Sequence, residues 1–96
     1  MILELRKIGS VLDSRPAGRE ALLAIRPQLQ GAKEIEIDFT DVNVLTPSFA
    51  DEFITPLVEE YGEHISFRHT GSNITVGKTL AFLAEDWPAA ARMRFN

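Results

Sequence analysis

Apolar and polar positions alternate most clearly at Glu34-Ile-Glu-Ile-Asp-Phe39. Ile35, Ile37 and Phe39 fall on one side of an extended chain there, and Glu34, Glu36 and Asp38 on the other. This alternation predicts a strand with one wet face, because a parallel strand covered on both faces reads as an unbroken Val/Ile/Leu run. The expectation is helices packed mainly on one face of the sheet. His64 to His69 repeats the pattern, with Ile65 and Phe67 set against Ser66 and Arg68. Nearer the start, Ile2 to Ile8 is β-compatible, Gly9-Ser10 breaks it, and Val11-Leu12 can pair back as a short strand.

Between these segments the period changes to that of a helix. Ala17, Ala21, Leu22, Ile25 and Leu29 follow Ser14, a good N-cap, with Pro16 in the first turn and Pro27 near the last. A second helix begins at Thr46-Pro-Ser-Phe49 and carries Phe49, Phe53, Leu57 and Tyr61 at every fourth position, with Pro56 inside it and Gly62 as its stop. Between Asp41 and Pro47 lies a loop holding an apolar piece, Val42 to Leu45. A third helix, capped by Asn73, presents Val76, Leu80, Leu83 and Trp87, and Pro88 ends it. Strand, helix, strand, helix, strand, helix in 96 residues predicts a small single-domain α/β fold with right-handed parallel crossovers. The whole chain, residues 1–96, reads as one domain with a core at about 8–87 and a tail at 88–96.

Composition narrows the class. The apolar fraction of 45% and charged fraction of 25% are those of an ordinary soluble domain. Without Cys there is no disulfide framework, thiolate zinc site or cysteine nucleophile. No apolar run approaches the roughly 18 residues of a membrane span, and Met1 to Lys7 lacks a secretory leader's order, so a cytoplasmic location without membrane contact is expected. The charge is unevenly placed: residues 1–33 carry net +3, residues 34–63 net −9 with no Lys or Arg, and residues 64–96 net +2, giving −4 in all. The acidic middle would repel a phosphate backbone, which argues against nucleic-acid binding. It is either a solvated face or a docking face for a basic partner.

Few residues carry candidate chemistry. Gly77-Lys78-Thr79 lacks the earlier glycine of a phosphate loop, since position 72 is Ser and Gly71 stands one place early. His64 and His69, five apart on one strand, point to opposite faces and cannot share a metal within it. No cofactor is called for. Asp51 and Glu52 suit the dipole at a helix start, and Ser48 with Asp51 resembles a capping box. Opposite charges at two helix starts predict that Asp51 or Glu52 pairs with Arg15 or Arg19. Ser48 reads first as a capping residue and second as a phospho-acceptor, because a helix N-terminus favours a phosphate while Asp51 and Glu52 oppose it.

Ser14-Arg15, Asp38-Phe39 followed by Val42, and Phe49-Ala50-Asp51-Glu52, in this order and spacing, resemble the STAS-like domains of unknown function. These are relatives of the STAS domains of anti-sigma factor antagonists. The resemblance runs from about Ile8 to Leu83. It implies a mixed sheet with a short leading hairpin and helices against one side. It also implies a bacterial-type regulatory module that binds a histidine-kinase-like ATPase, with phosphorylation at the start of the second helix breaking the complex. By position the acceptor falls on Ser48, with Thr46, Asp51 and Glu52 around it as the partner-binding surface. The sequence departs from the antagonist pattern: Thr46 replaces the acid before the acceptor, and Phe49 replaces a glycine, where it either blocks a kinase or fills the core. The expectation is a non-catalytic, regulatory protein-interaction module. The alternatives are a small enzyme with a site near Asp41, Ser48 and His69, or a homo-oligomer in which the acidic middle of one copy meets the basic first third of another.

Overall fold

The structure, a computed structural model, describes residues 1–71 and 73–88. The expected tail at 88–96 falls, past Pro88, outside the described residues, as does Ser72. The described residues form five strands and three helices: β1 (Ile2–Glu4), β2 (Val11–Leu12), α1 (Arg15–Leu29), β3 (Ile35–Asp38), β4 (Val44–Leu45), α2 (Pro47–Tyr61), β5 (Ile65–Arg68) and α3 (Ile74–Ala84). The strands form two sheets, β1-β3-β5 and β2-β4, and every ladder is parallel.

The expected leading hairpin does not form. Leu5–Lys7 winds into a 3-10 turn that buries Leu5 and carries the chain away from β1. β2 then pairs with β4: the Val44 N–H donates to Ser10 O at 3.1 Å and the Thr46 N–H to Leu12 O at 3.0 Å. A hairpin needs the second strand to run back beside the first, and the 3-10 turn removes that option.

The one-sided sheet does form. Its register aligns Leu3, Ile37 and Phe67 across the three strands, with Ile35 beside Ile65, and all five are buried. On the opposite face Glu36 stands between Ile2 and Ser66, and Asp38 between Glu4 and Arg68, all half-buried or exposed. Side-chain alternation makes this division a consequence of the sequence pattern once the register is set. Arg68 reaches Glu36 at 3.0 Å and Arg6 reaches Glu4 at 3.0 Å, which offsets the repulsion among the acids of this face.

The inner layer is aromatic at its centre. Phe49 stacks on Phe53 at 5.6 Å, Phe67 lies 6.3 Å from Phe39, and Trp87 stacks on Phe67 at 5.4 Å while its indole N–H donates to Thr55 Oγ1 at 3.3 Å. Trp87 continues the buried stripe of Val76, Leu80 and Leu83 just past the end of α3. Asn73 caps α3 as expected, accepting from the Thr75 N–H at 2.8 Å. Gly77-Lys78-Thr79 lies inside α3 and so does not wrap an anion as a loop.

Among the described residues β4 has no strand on the side away from β2, and α3 satisfies that edge with side chains. The Leu45 N–H donates to Thr75 Oγ1 at 3.4 Å, and the buried Thr79 hydroxyl donates to Leu45 O at 2.7 Å. These bonds lock α3 against the second sheet. Thr79→Val should leave the Leu45 carbonyl unsatisfied and cost about 1–3 kcal/mol, read as a lower denaturation midpoint. A midpoint equal to the parent's would show that the bond contributes nothing.

Candidate functional site

Two helix starts lie side by side because α1 and α2 pack closely along parallel directions. The contact is closest at Gly18, where a Cβ would stand 2.6 Å from the backbone oxygen of Phe49 and 3.1 Å from the Glu52 Cβ. Only a residue without a side chain fits there. An isolated glycine inside a helical pattern is the signal that could have revealed this contact from sequence.

At this corner Ser14 caps α1, its Oγ accepting from the Ala17 N–H at 3.3 Å, with Pro16 in the first turn as expected. Ser14 does so at φ 79 and ψ 149, a backbone region otherwise kept for glycine. Holding a serine there costs about 1–3 kcal/mol, which the surrounding packing must supply. Arg15 then extends to Asp51 at 2.8 Å and Glu52 at 3.4 Å, and Arg19 approaches Glu52 at 4.0 Å. The expected pairing across the two helix starts is therefore present. Its hydrogen bonds, to Asp51 first and Glu52 second, hold the Arg15 guanidinium above its ordinary pKa. Further along the same seam Arg26 pairs with Glu60.

The capping role expected of Ser48 belongs to Thr46. Pro47 occupies the first helical position, where its missing N–H leaves no orphan donor, so the cap is the residue before it. Thr46 has extended angles, φ −88 and ψ 154, and its Oγ1 accepts from the Phe49 N–H at 3.3 Å. The Ser48–Asp51 capping box is absent because Ser48 lies inside the helix, past the cap, and Asp51 is turned to Arg15. Ser48 is half-buried in the first turn of α2 and does not make the cap bond. Phe49 is 1% exposed and stacks on Phe53, so it fills the core and leaves the outer surface to Thr46, Pro47, Ser48, Asp51 and Glu52.

A second polar group gathers at the carboxyl ends of the sheet strands. Asp38 Oδ1 accepts from the Thr40 N–H at 3.0 Å and the Thr40 hydroxyl at 2.7 Å. Burial would raise its pKa, but these two bonds and the charges of His69 and Arg68 hold it below the usual aspartate value. Asp41 and His69, with φ of 63 and 59, turn the chain out of β3 and β5. Asp41 is reached by Arg6 at 3.5 Å. Surface cavities of about 240, 460 and 220 Å³ open elsewhere: at the amino ends of β3 and β5, between the last turns of α1 and α2, and beside β1. None of these three is lined by Asp41, Ser48 or His69. Among the described residues no three His, Cys, Asp or Glu side chains are grouped as a metal site. No helix among them is long and apolar enough to cross a membrane.

A one-sided parallel sheet under three helices, with a charged corner at two helix starts, defines a small α/β domain of the STAS-like kind. The chain belongs to the family described as the STAS-like domain of unknown function, whose profile matches residues 17–75. That stretch runs from the first turn of α1 through β3, β4, α2 and β5 to the start of α3. Comparison with curated proteins and with solved structures gives no significant match.

Two measurements test this geometry. Arg15→Asp and Asp51→Arg should each lower the melting temperature, and the double swap should recover part of the loss. Because Arg15 and Asp51 are about half exposed, the effect is small and shrinks in high salt; absence of recovery would refute a direct pairing. For Asp38, the folded value lies below an unfolded value of about 3.9. Its stabilisation is thus complete above that pH and is lost as pH falls through the lower folded value. Asp38→Asn should flatten the acid limb of a stability profile taken from about pH 5 to about pH 2, and an unchanged limb would overturn the assignment.

Proposed function

We propose that the chain is a non-catalytic regulatory module that docks a partner protein at the paired starts of α1 and α2, with Ser48 as a phosphorylation switch. The supporting observation is the position of Ser48: half-buried in the first turn of α2, relieved of capping by Thr46, and three and four residues before Asp51 and Glu52. Residues at these spacings share one helix face. A phosphate on Ser48 would bring about −1.5 to −2 charges onto the face whose carboxylates already hold Arg15. It would compete for Arg15 and repel Asp51 and Glu52, changing the charge and shape of the docking corner together.

The resemblance to anti-sigma factor antagonists supports a histidine-kinase-like ATPase as the partner and the cytoplasm as the compartment. The acid excess of residues 34–63 favours a basic surface on that partner, although Arg15, Arg19 and Arg26 neutralise part of it within the chain. That internal pairing also weakens the case for an oligomer built by joining the acidic middle of one copy to the basic first third of another. An enzyme site near Asp41, Ser48 and His69 gains no support from the three cavities.

The decisive experiment incubates the purified chain with ATP and an extract of its source cells, followed by peptide mass spectrometry. One phosphate is expected on the peptide containing Ser48 and none in Ser48→Ala. That variant should stay within about 0.5 kcal/mol of the parent's stability, since Thr46 carries the cap. An unmodified Ser48, or equal labelling of the Ala variant, would end the switch proposal.

A further inference from the structure

α3 is apolar nearly all round: across Ile74–Ala84 its one charged residue is Lys78. A helix of that composition ordinarily lies buried on every side. Here Val76, Thr79, Leu80, Leu83 and Ala84 face inward and are buried. The opposite stripe is open: Ile74 is 70% exposed, Phe82 is 62% exposed, and Lys78, Ala81 and Glu85 are exposed beside them. At about 100° per residue these five positions span roughly one third of the helix circumference. The Thr75 and Thr79 bonds to β4 fix the rotation of α3, so the stripe is held outward.

The charges on this stripe select the occupant. Among the described residues Lys78 and Glu85 make no ion pair. They lie seven residues apart, and side chains meet within a helix at three or four. Glu85 keeps helical angles, φ −59 and ψ −31, so the stripe continues to it. We propose that the outer stripe of α3 is a homodimer interface in which two copies of α3 pack antiparallel about a two-fold axis between Ala81 and Phe82. That axis sets Lys78 of each copy against the partner copy's Glu85, forming the ion pair twice. It also sets each Phe82 against the small Ala81 of the other copy. An isologous contact requires this self-complementarity, and the stripe has it in both charge and size.

The contact is small. A helix of 11 residues is about 16 Å long, so the buried area falls below the roughly 800 Å² per partner of a standard interface. The dimer is accordingly weak, with a dissociation constant on the order of 100 µM. Sedimentation equilibrium of the full chain from about 10 µM to about 2 mM spans that value. Lys78→Glu and Glu85→Lys should each weaken the dimer about tenfold, and the double swap should restore it. Phe82→Ser should abolish the dimer and leave the melting temperature of the dilute monomer unchanged, because the side chain is exposed. A chain that is monomeric throughout, or a dimer indifferent to Phe82→Ser and to the charge reversals, overturns the proposal. So does a monomer that dimerises only after Met93 and Phe95 are replaced by Ser, since the stripe would then belong to the chain's own C-terminal residues.

Discussion

The approach of α1 to α2 at Gly18 is the constraint on which the rest of the molecule depends. A Cβ at this position would overlap the Phe49 backbone oxygen, so the distance between the helices is set by the absence of a side chain. With the helices that close, both N-termini reach the same corner, and Arg15 spans to Asp51 and Glu52. Phe49 is turned inward onto Phe53, and Ser48 remains at the surface. A wider seam would separate the arginines from the acids and open the core beneath Phe49.

Electrostatics follow the same seam. The basic first third of the chain and its acidic middle look separate in sequence, yet parallel packing of α1 on α2 brings them together at Arg15, Arg19 and Arg26. On the far side of the molecule the outer sheet face handles its acids by a different route. Arg6, in the turn after β1, and Arg68, at the end of β5, reach Glu4 and Glu36, while Thr40 holds the Asp38 carboxylate by two donors. The net charge of −4 is therefore what is left after extensive internal pairing, and individual acids on either face are less available to a partner than their number suggests.

The second sheet and α3 form a unit of their own. Two residues in β4 cannot build a sheet edge that withstands solvent, and Thr75 and Thr79 supply the missing donors and acceptors from α3. That coupling gives α3 a fixed orientation. Its inward stripe joins the aromatic layer through Trp87 and Phe67, and its outward stripe presents Ile74 and Phe82 to the surroundings. An apolar exterior on a helix anchored this firmly is a property of the surface and not of a loose element.

Much of the architecture was legible in the order of residues. Alternation at Glu34 to Phe39 and at Ile65 to Arg68 specified the half-wet strands, because side-chain direction in a strand is fixed by position alone. Ser14, Asn73 and Gly62 marked helix boundaries through local hydrogen bonding and backbone freedom, and opposite charges at two helix starts anticipated the Arg15–Asp51 pair. Strand partners were not legible: Val11-Leu12 has the same local preferences beside β1 or beside β4, and only the 3-10 turn at Leu5–Lys7 and the edge offered by Val44-Leu45 decided between them. The cap of α2 moved from Ser48 to Thr46 because two neighbouring hydroxyls compete and the geometry at Pro47 chooses. Periodicity and capping act over three or four residues and are written into the chain. Ladder pairing, the Gly18 contact and the exposed side of α3 depend on groups far apart in sequence, and only folding brings those together.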